Sequence, residues 1–521
     1  MKKLSLKRIL LVLSATIISI LSFELTVSIL NQLIPMKYRS FNILGEKDSA
    51  VFDSLKREIS GIDVNNSFII YYLGESTMEG DPYFDKLNIP QLVSVFLKDE
   101  INGKPLIPIN LGKSGVIFDY HLNRISLISR YKKIFNPSLV VIYSGHNEIA
   151  SRYDGTGLSV KNKDDQLTRM LNSTFLVSSS LKLLGKRKLE IDERSFFDKP
   201  LFNSKQKAEV INIFREEVNQ AVNLLKTEKI PVIFITQVGN YADWEPSRSI
   251  FCERKNDMKY EFLNLFKTAL EYEKIGNLKT ALEYYQLAED ICPTFAEISF
   301  RKGKIYEKQG DFNSAWFAFK KGIDNDGAPI WAVSEINDFI RSLENNEDIY
   351  IVDAENYLRQ YSENHLIGYN LMIDGHHPND RGYLLMSKAL AEKIKNIYKI
   401  QRYNLKIEYK DIVNMFPLNS NDLNRIYTDK GDWIIRMSSW KYDPVDRLAK
   451  AEDYYNKALD YKSGNWRTYA GLSLIYFLRK DVEKAQQYLK TATEINKEET
   501  EQLIQGEEWV QNVIIRAINS E

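Results

Sequence analysis

Five short apolar runs recur between residues 67 and 358: SFIIYYLGEST, PLIPINLGKSG, PSLVVIYSGHNE, IPVIFITQV and DIYIVDAENYL. Each is strand-sized and nearly continuous, the pattern of strands covered on both faces rather than one. Amphipathic stretches at 122–134 and 206–227 lie between them. Strands alternating with helices predict an α/β domain with a parallel sheet. In such a sheet, ligands sit at the carboxyl ends of the strands. The first three runs end in turns at 74–76, 112–115 and 145–148, and these turns are expected on that edge.

The pattern changes to a helical period at 257–330. Ala281 and Ala315 are 34 residues apart, as are Tyr272 and Tyr306, and Tyr285 and Phe319. The same spacing returns near the C-terminus in Ala451/Ala485, Tyr442/Tyr476 and Ala458/Ala492. Leu265, Ala269, Tyr272, Ala281, Tyr285, Ala288 and Pro293 fall at tetratricopeptide positions, where small residues let paired helices approach and aromatics fill the groove. Two repeats are fewer than usually stack alone. Each pair is therefore expected to lean on the sheet domain or on the other pair, either as a peptide-binding surface or as structural cover.

At the N-terminus, Lys2, Lys3, Lys7 and Arg8 precede an apolar run from Ile9 to about Leu30, interrupted by Glu24. The run is long enough to cross a bilayer, and its leading basic residues predict a cytoplasmic N-terminus. A single-pass anchor is expected, with the remainder outside the cytoplasm. A cleaved signal peptide is the alternative, although no small-x-small site is evident.

The organisation read from the chain is an anchor at 1–35 and a linker at 36–65. The sheet domain follows at 66–256, inserted repeats at 257–330, the resumed sheet domain at 331–402 and C-terminal repeats at 403–521. Residues 151–200 read as an irregular polar loop or lid. Lys plus Arg and Asp plus Glu both number 70. That balance argues against nucleic acid as a partner, since phosphate binding draws on a local basic excess. The two cysteines, Cys252 and Cys292, match no zinc pattern. Two buried thiols are the expectation, and one disulfide is the alternative.

Four segments carry candidate chemistry: Gly74-Glu75-Ser76-Thr77, Asn110 to Gly115, Gly145-His146-Asn147-Glu148, and Asp374 to Tyr383 with its Asp-x-x-His-Pro core. A serine hydroxyl needs a neighbouring base, a neutral histidine can serve near pH 7, and a carboxylate on the other ring nitrogen fixes its tautomer. Asp374 and His377 have the spacing for that pair, with His376 as the competing base. Donors at the other turns suit a developing oxyanion.

The blocks GEST, NLGKSG, GHNE and DGHHPNDRGY resemble, in order, the motifs of the SGNH or GDSL-like hydrolases, over about 66–256 and 330–400. The resemblance implies a flavodoxin-like three-layer α/β/α fold with an acyl-serine mechanism. Ser76 would be nucleophile and oxyanion donor, Gly115 and Asn147 further donors, His377 the base and Asp374 its orienting acid. Glu75 departs from the family, which has Asp there. No metal or cofactor is implied, and no third ligand beside His376 and His377 is evident. With the anchor and repeats, the expected role is a periplasmic-facing esterase or O-acyltransferase at the inner membrane. It would act on ester-linked groups, O-acetyl foremost, of envelope glycan or lipid, with a protein partner on the repeats. The alternative is a repeat scaffold carrying an inactive hydrolase domain.

Overall fold

The computed structural model describes residues 45–153, 204–252, 257–345, 347–438, 441, 445–506 and 510. The predicted membrane run and most of the predicted lid lie outside the described residues. Among the described residues, no helix is long and apolar enough to cross a membrane. The stretch read as a linker contains a helix, Gly45–Glu58, within a separate N-terminal unit that ends at Ile62.

The second unit is built on a six-stranded sheet. Its strands are β1 (Phe68–Gly74), β2 (Glu100–Ile101), β3 (Lys104–Asn110), β4 (Leu139–Tyr143), β5 (Val232–Ile235) and β6 (Ile349–Val352). The spatial order is β2-β3-β1-β4-β5-β6. β1 pairs in parallel with β3 and β4, and β4–β5 and β5–β6 are also parallel. Counting only parallel strands in chain order gives 2-1-3-4-5, the flavodoxin-like winding. The wholly parallel expectation is corrected at one edge, where two-residue β2 runs antiparallel to β3. It is too short to leave a hydrophobic run in the sequence.

β4 is buried along its whole length and β1 everywhere but its first residue. Alternate residues point to opposite faces of the sheet. Ile70, Tyr72, Val141, Tyr143 and Ile233 share a core with Leu92 and Phe96 of the Ile89–Phe96 helix and Leu390 and Ile394 of the Asp380–Tyr398 helix. The Phe118–Arg130 and Ser204–Thr227 helices pair with each other, and Phe118 meets Phe214 edge to face. The Phe118–Arg130 helix begins four residues before the 122–134 stretch read from the sequence. Its leading N–H, on Phe118, donates to Glu148 Oε1 at 2.7 Å.

The inserted repeats form two helical hairpins, Lys259–Lys274 with Leu278–Ile291 and Ala296–Lys308 with Phe312–Asp324. A second set follows: Ser420–Ser438 with Val445–Tyr461, then Trp466–Leu478 with Val482–Ile495. Tyr442, one of the residues in the spacing argument, lies outside the described residues. Close approach is visible at Gly471, where a Cβ would fall 2.2 Å from the Tyr455 ring. The first hairpin packs in a core separate from that of the sheet domain, around Phe262, Phe266, Ala281 and Tyr285 together with Ile298 and Ile305 of the next helix. The next hairpin and the C-terminal set share the sheet domain's core through Phe319, Ile434, Tyr455 and Leu472. The expected two free thiols are corrected: Cys252 and Cys292 form a disulfide, with Cα atoms 5.5 Å apart. It ties the segment leaving the sheet domain to the end of the first hairpin.

Candidate active site

Ser76 opens a four-residue helix, Ser76–Glu79, directly after β1. The turn is tight because β1 ends against β4: a Cβ on Gly74 would lie 2.3 Å from the Tyr143 carbonyl oxygen. Only a glycine lets Ser76 emerge at that point. The Ser76 carbonyl accepts the N–H groups of Gly80 and Asp81, both at 2.9 Å. The Tyr383 hydroxyl reaches the Thr77 and Asp81 carbonyls at 2.9 and 2.8 Å, so the helix Asp380–Tyr398 steadies the same turn.

The loop carrying Asp374 and His377 closes on itself. Asp374 Oδ1 accepts the backbone N–H groups of His376 at 3.0 Å and His377 at 2.8 Å. Its Oδ2 stands 2.7 Å from His377 Nδ1. A carboxylate can only accept, so Nδ1 carries the hydrogen and Nε2 presents its lone pair. That nitrogen is 2.7 Å from Ser76 Oγ. Asn240, beyond β5, holds the loop from behind: its N–H donates to the Gly375 carbonyl at 2.8 Å and its Nδ2 to the Asp374 carbonyl at 3.1 Å. Burial works against the charge on Asp374, but the His377 ring and the Lys430 ammonium hold its carboxyl well below the usual range.

The sequence alone does not single out Lys430. It lies on the repeat helix Ser420–Ser438, is 2% exposed, and sets Nζ 3.0 Å from Asp374 Oδ2 while pairing with Asp81 Oδ1. From the same helix, the Trp433 ring sits 5.6 Å from the His376 ring and 5.7 Å from the His377 ring. The one signal in the sequence was a lysine on the apolar stripe formed by Ile426, Trp433, Ile434 and Met437. It became meaningful only when the stripe met the sheet domain.

Geometry separates the two histidines: His377 meets Ser76 and Asp374 through its ring. His376 joins Asp374 through its backbone N–H, while its buried ring Nδ1 has no hydrogen-bond partner among the described residues. Burial, with the neighbouring histidines, pushes its pKa well below the ordinary value. Asp374, His376 and His377 place donor atoms within 4.8 Å of one another. Both ring nitrogens of His377 are already hydrogen-bonded, and the Lys430 ammonium faces Asp374. Asp374 is thus a third candidate donor that the sequence did not suggest, already committed to hydrogen bonds and an ion pair.

Glu75 organises the third turn. Its carboxylate accepts from Ser144 Oγ at 2.8 Å, Gly145 N at 2.8 Å, His146 N at 3.0 Å and Asn147 N at 3.2 Å. Burial and then Glu148 nonetheless push its pKa up to about 8. Asn147 Nδ2 donates to the Val116 carbonyl at 2.9 Å, which commits one of its two amide hydrogens. Gly115 takes φ +75°, the left-handed region, just after Ser114 donates from its N–H to Glu79 at 2.7 Å. The structure therefore joins Ser76, His377 and Asp374 by hydrogen bonds. It places Gly115 and Asn147 on turns after β3 and β4, the two strands flanking β1.

Segments 296–328 and 467–499 match the tetratricopeptide-repeat family model. No curated protein matches the chain. Among solved structures, one described as an acylhydrolase from Bacteroides fragilis is 14% identical, covering 63% of this chain and 88% of its own at a TM-score of 0.29. A GDSL-like lipase from Bacteroides thetaiotaomicron is also 14% identical, covering 66% and 99% at a TM-score of 0.30. The tetratricopeptide protein YrrB, described as having an unusual peptide-binding site, is 12% identical, covering 47% and 89% at a TM-score of 0.13.

Proposed function

We propose that this protein is a membrane-anchored SGNH-type serine hydrolase working through an acyl-serine intermediate. The observation that carries the reading is the unbroken chain from Ser76 Oγ to His377 Nε2 and from His377 Nδ1 to Asp374, each link 2.7 Å. Ser76 Oγ attacks the ester carbonyl carbon as its proton passes to His377 Nε2. Asp374 stabilises the imidazolium. The N–H groups of Ser76 and Gly115 and the second amide hydrogen of Asn147 are the proposed oxyanion donors, each contributing about 3–4 kcal/mol in comparable sites. Collapse expels the alkoxide, which takes the proton from His377. Water or a sugar hydroxyl then attacks acyl-Ser76 with His377 again as base, giving hydrolysis or transfer.

The proposed substrates are ester-linked groups, O-acetyl foremost, on envelope glycan or lipid. The apolar run at 9–30 supports a single-pass inner-membrane anchor with a periplasmic catalytic domain. The repeats support recruitment of a protein partner. A fluorophosphonate should label the wild-type protein and not Ser76→Ala, and mass spectrometry after feeding candidate donors should find the acyl group on Ser76. A folded wild type that takes no label sinks the proposal. One observation favours a second reading, a scaffold on an inactive hydrolase domain: Ser76 is 7% and His377 3% exposed. That reading predicts unchanged cellular function for Ser76→Ala.

A further inference from the structure

An ammonium buried in a protein loses several kcal/mol of hydration, recovered only through well-placed partners. Leu or Met could fill the Lys430 position in packing terms. The charge there is matched instead by two carboxylates from different elements, Asp374 on the late loop and Asp81 after the nucleophile helix. Asp81 Oδ2 faces His377 Nε2 at 3.8 Å, beyond hydrogen-bond range and beside the nitrogen that meets Ser76. Released from Lys430, Asp81 would be an acceptor competing with Ser76 for that nitrogen once the ring is protonated.

We infer that Lys430 is a positioning residue that bridges Asp374 and Asp81, keeping the first turned to His377 Nδ1 and the second off His377 Nε2. The inference rests on reading Ser76, His377 and Asp374 as a catalytic triad, and it makes the C-terminal repeat helix part of that site. The charged and titratable groups facing His377 come from four elements. Asp374 and His376 are on its own loop, with the His376 ring at 4.1 Å. His146, on the turn after β4, lies 4.9 Å beyond His376. Asp81 and Lys430 complete the set. Burial pushes His146 down to about 3 and His376 well below its ordinary range, so both are neutral. Lys430 is then the positive member of this group, and Lys430→Gln removes that charge from beside Asp374 and Asp81.

The test uses the full chain labelled with ¹⁵N at its five histidines, titrated by the ring-nitrogen spectrum, alongside fluorophosphonate labelling against pH. In Lys430→Gln the His377 midpoint should rise by on the order of one pH unit. The acid limb of Ser76 labelling should rise with it, and Lys430→Arg should restore most of the shift. Asp81→Asn, which keeps the lysine and removes a carboxylate, should move the midpoint the other way. Should Lys430→Gln not fold, Asp81→Asn still decides. A wild-type midpoint in either folded variant overturns the inference and leaves Lys430 as a tether. The spectrum reads His377 whether or not Ser76 reacts, so an unlabelled wild type sinks the hydrolase reading separately.

Discussion

Ser76 Oγ and His377 Nε2 lie 2.7 Å apart although 301 residues separate them. The sheet does not make this contact directly, since β1 and β6 are separated by β4 and β5. The loop carrying Asp374 and His377 reaches back along the carboxyl edge, supported midway by Asn240. Site geometry therefore depends on a loop held by the backbone and side chain of Asn240 rather than on pairing of β1 with β6.

Asp374→Asn should lose most reactivity while keeping the fold. An amide oxygen or nitrogen can face His377 Nδ1, and the nitrogen would select the wrong tautomer. The second-order rate of fluorophosphonate labelling should fall on the order of 10³–10⁴-fold. A loss below tenfold in a folded variant would show that the carboxylate does not orient the base.

Glu75 supports a different outcome. Its carboxylate accepts four hydrogen bonds from residues 144–147. Glu75→Gln puts an NH2 group, with two hydrogens and no acceptor capacity, where a protonated carboxyl has one hydrogen and a carboxylate none, leaving buried N–H groups unpaired at about 1–3 kcal/mol. Stability should fall, and labelling should slow with it because the Asn147 turn shifts. Ser144→Ala removes only the hydroxyl and should do far less. Urea unfolding and labelling rates check both.

The same residue predicts a pH dependence. Glu75 titrates near 4.5 when unfolded and is pushed up to about 8 by burial in the folded state. Its stability contribution is complete below the unfolded value. Between the two values the unfolded chain has released a proton that the folded chain retains, so stability falls as pH rises. The wild-type advantage over Glu75→Gln should shrink across that window, by at most about 1.4 kcal/mol per pH unit, and level off above it. A pH-independent difference would mean that Glu75 is ionised throughout.

Much of this site was legible because strand, turn and helix signals are local. The five parallel strands stand out as apolar runs, the Asp374–His377 pair as a three-residue spacing, and the repeats as a 34-residue period. Long-range facts were not legible. Lys430 reads only as a lysine on an apolar helix face until that face packs against Asp374 and Asp81. Glu75 reads as a departure from a motif until its four donors are in place. The disulfide depended on a repeat hairpin folding Cys292 back toward Cys252, which the spacing of two cysteines does not specify.

That disulfide joins residues 40 apart. Closing a loop of that size restricts the unfolded chain by about 4 kcal/mol on the chain-entropy model. Cys252 and Cys292 anchor the hairpin whose core is separate from that of the sheet domain. Reduction, or the double change to Ala, should lower the stability of 257–292 by about 2–4 kcal/mol and raise its hydrogen exchange. The sheet strands should remain protected. Equal loss of protection throughout would show that the hairpin and sheet unfold as one unit.

Arg447 provides the final test of how the repeats serve the site. It is 1% exposed and follows the helix that carries Lys430 and Trp433. Its Nη1 donates to the Met437 carbonyl at 3.0 Å and its Nη2 to the Glu245 carbonyl at 2.6 Å. Its guanidinium lies 4.3 Å from the Trp244 ring centre, and Trp244 in turn meets Trp433 at 5.3 Å. Lysine cannot reproduce this fork or the stacking. Arg447→Lys should therefore loosen Ser420–Ser438 without touching Ser76. Hydrogen exchange there should rise, and labelling of Ser76 should slow as Lys430 and Trp433 lose their register on Asp374 and His377. Faster labelling would show that the helix obstructs the nucleophile instead of completing its surroundings.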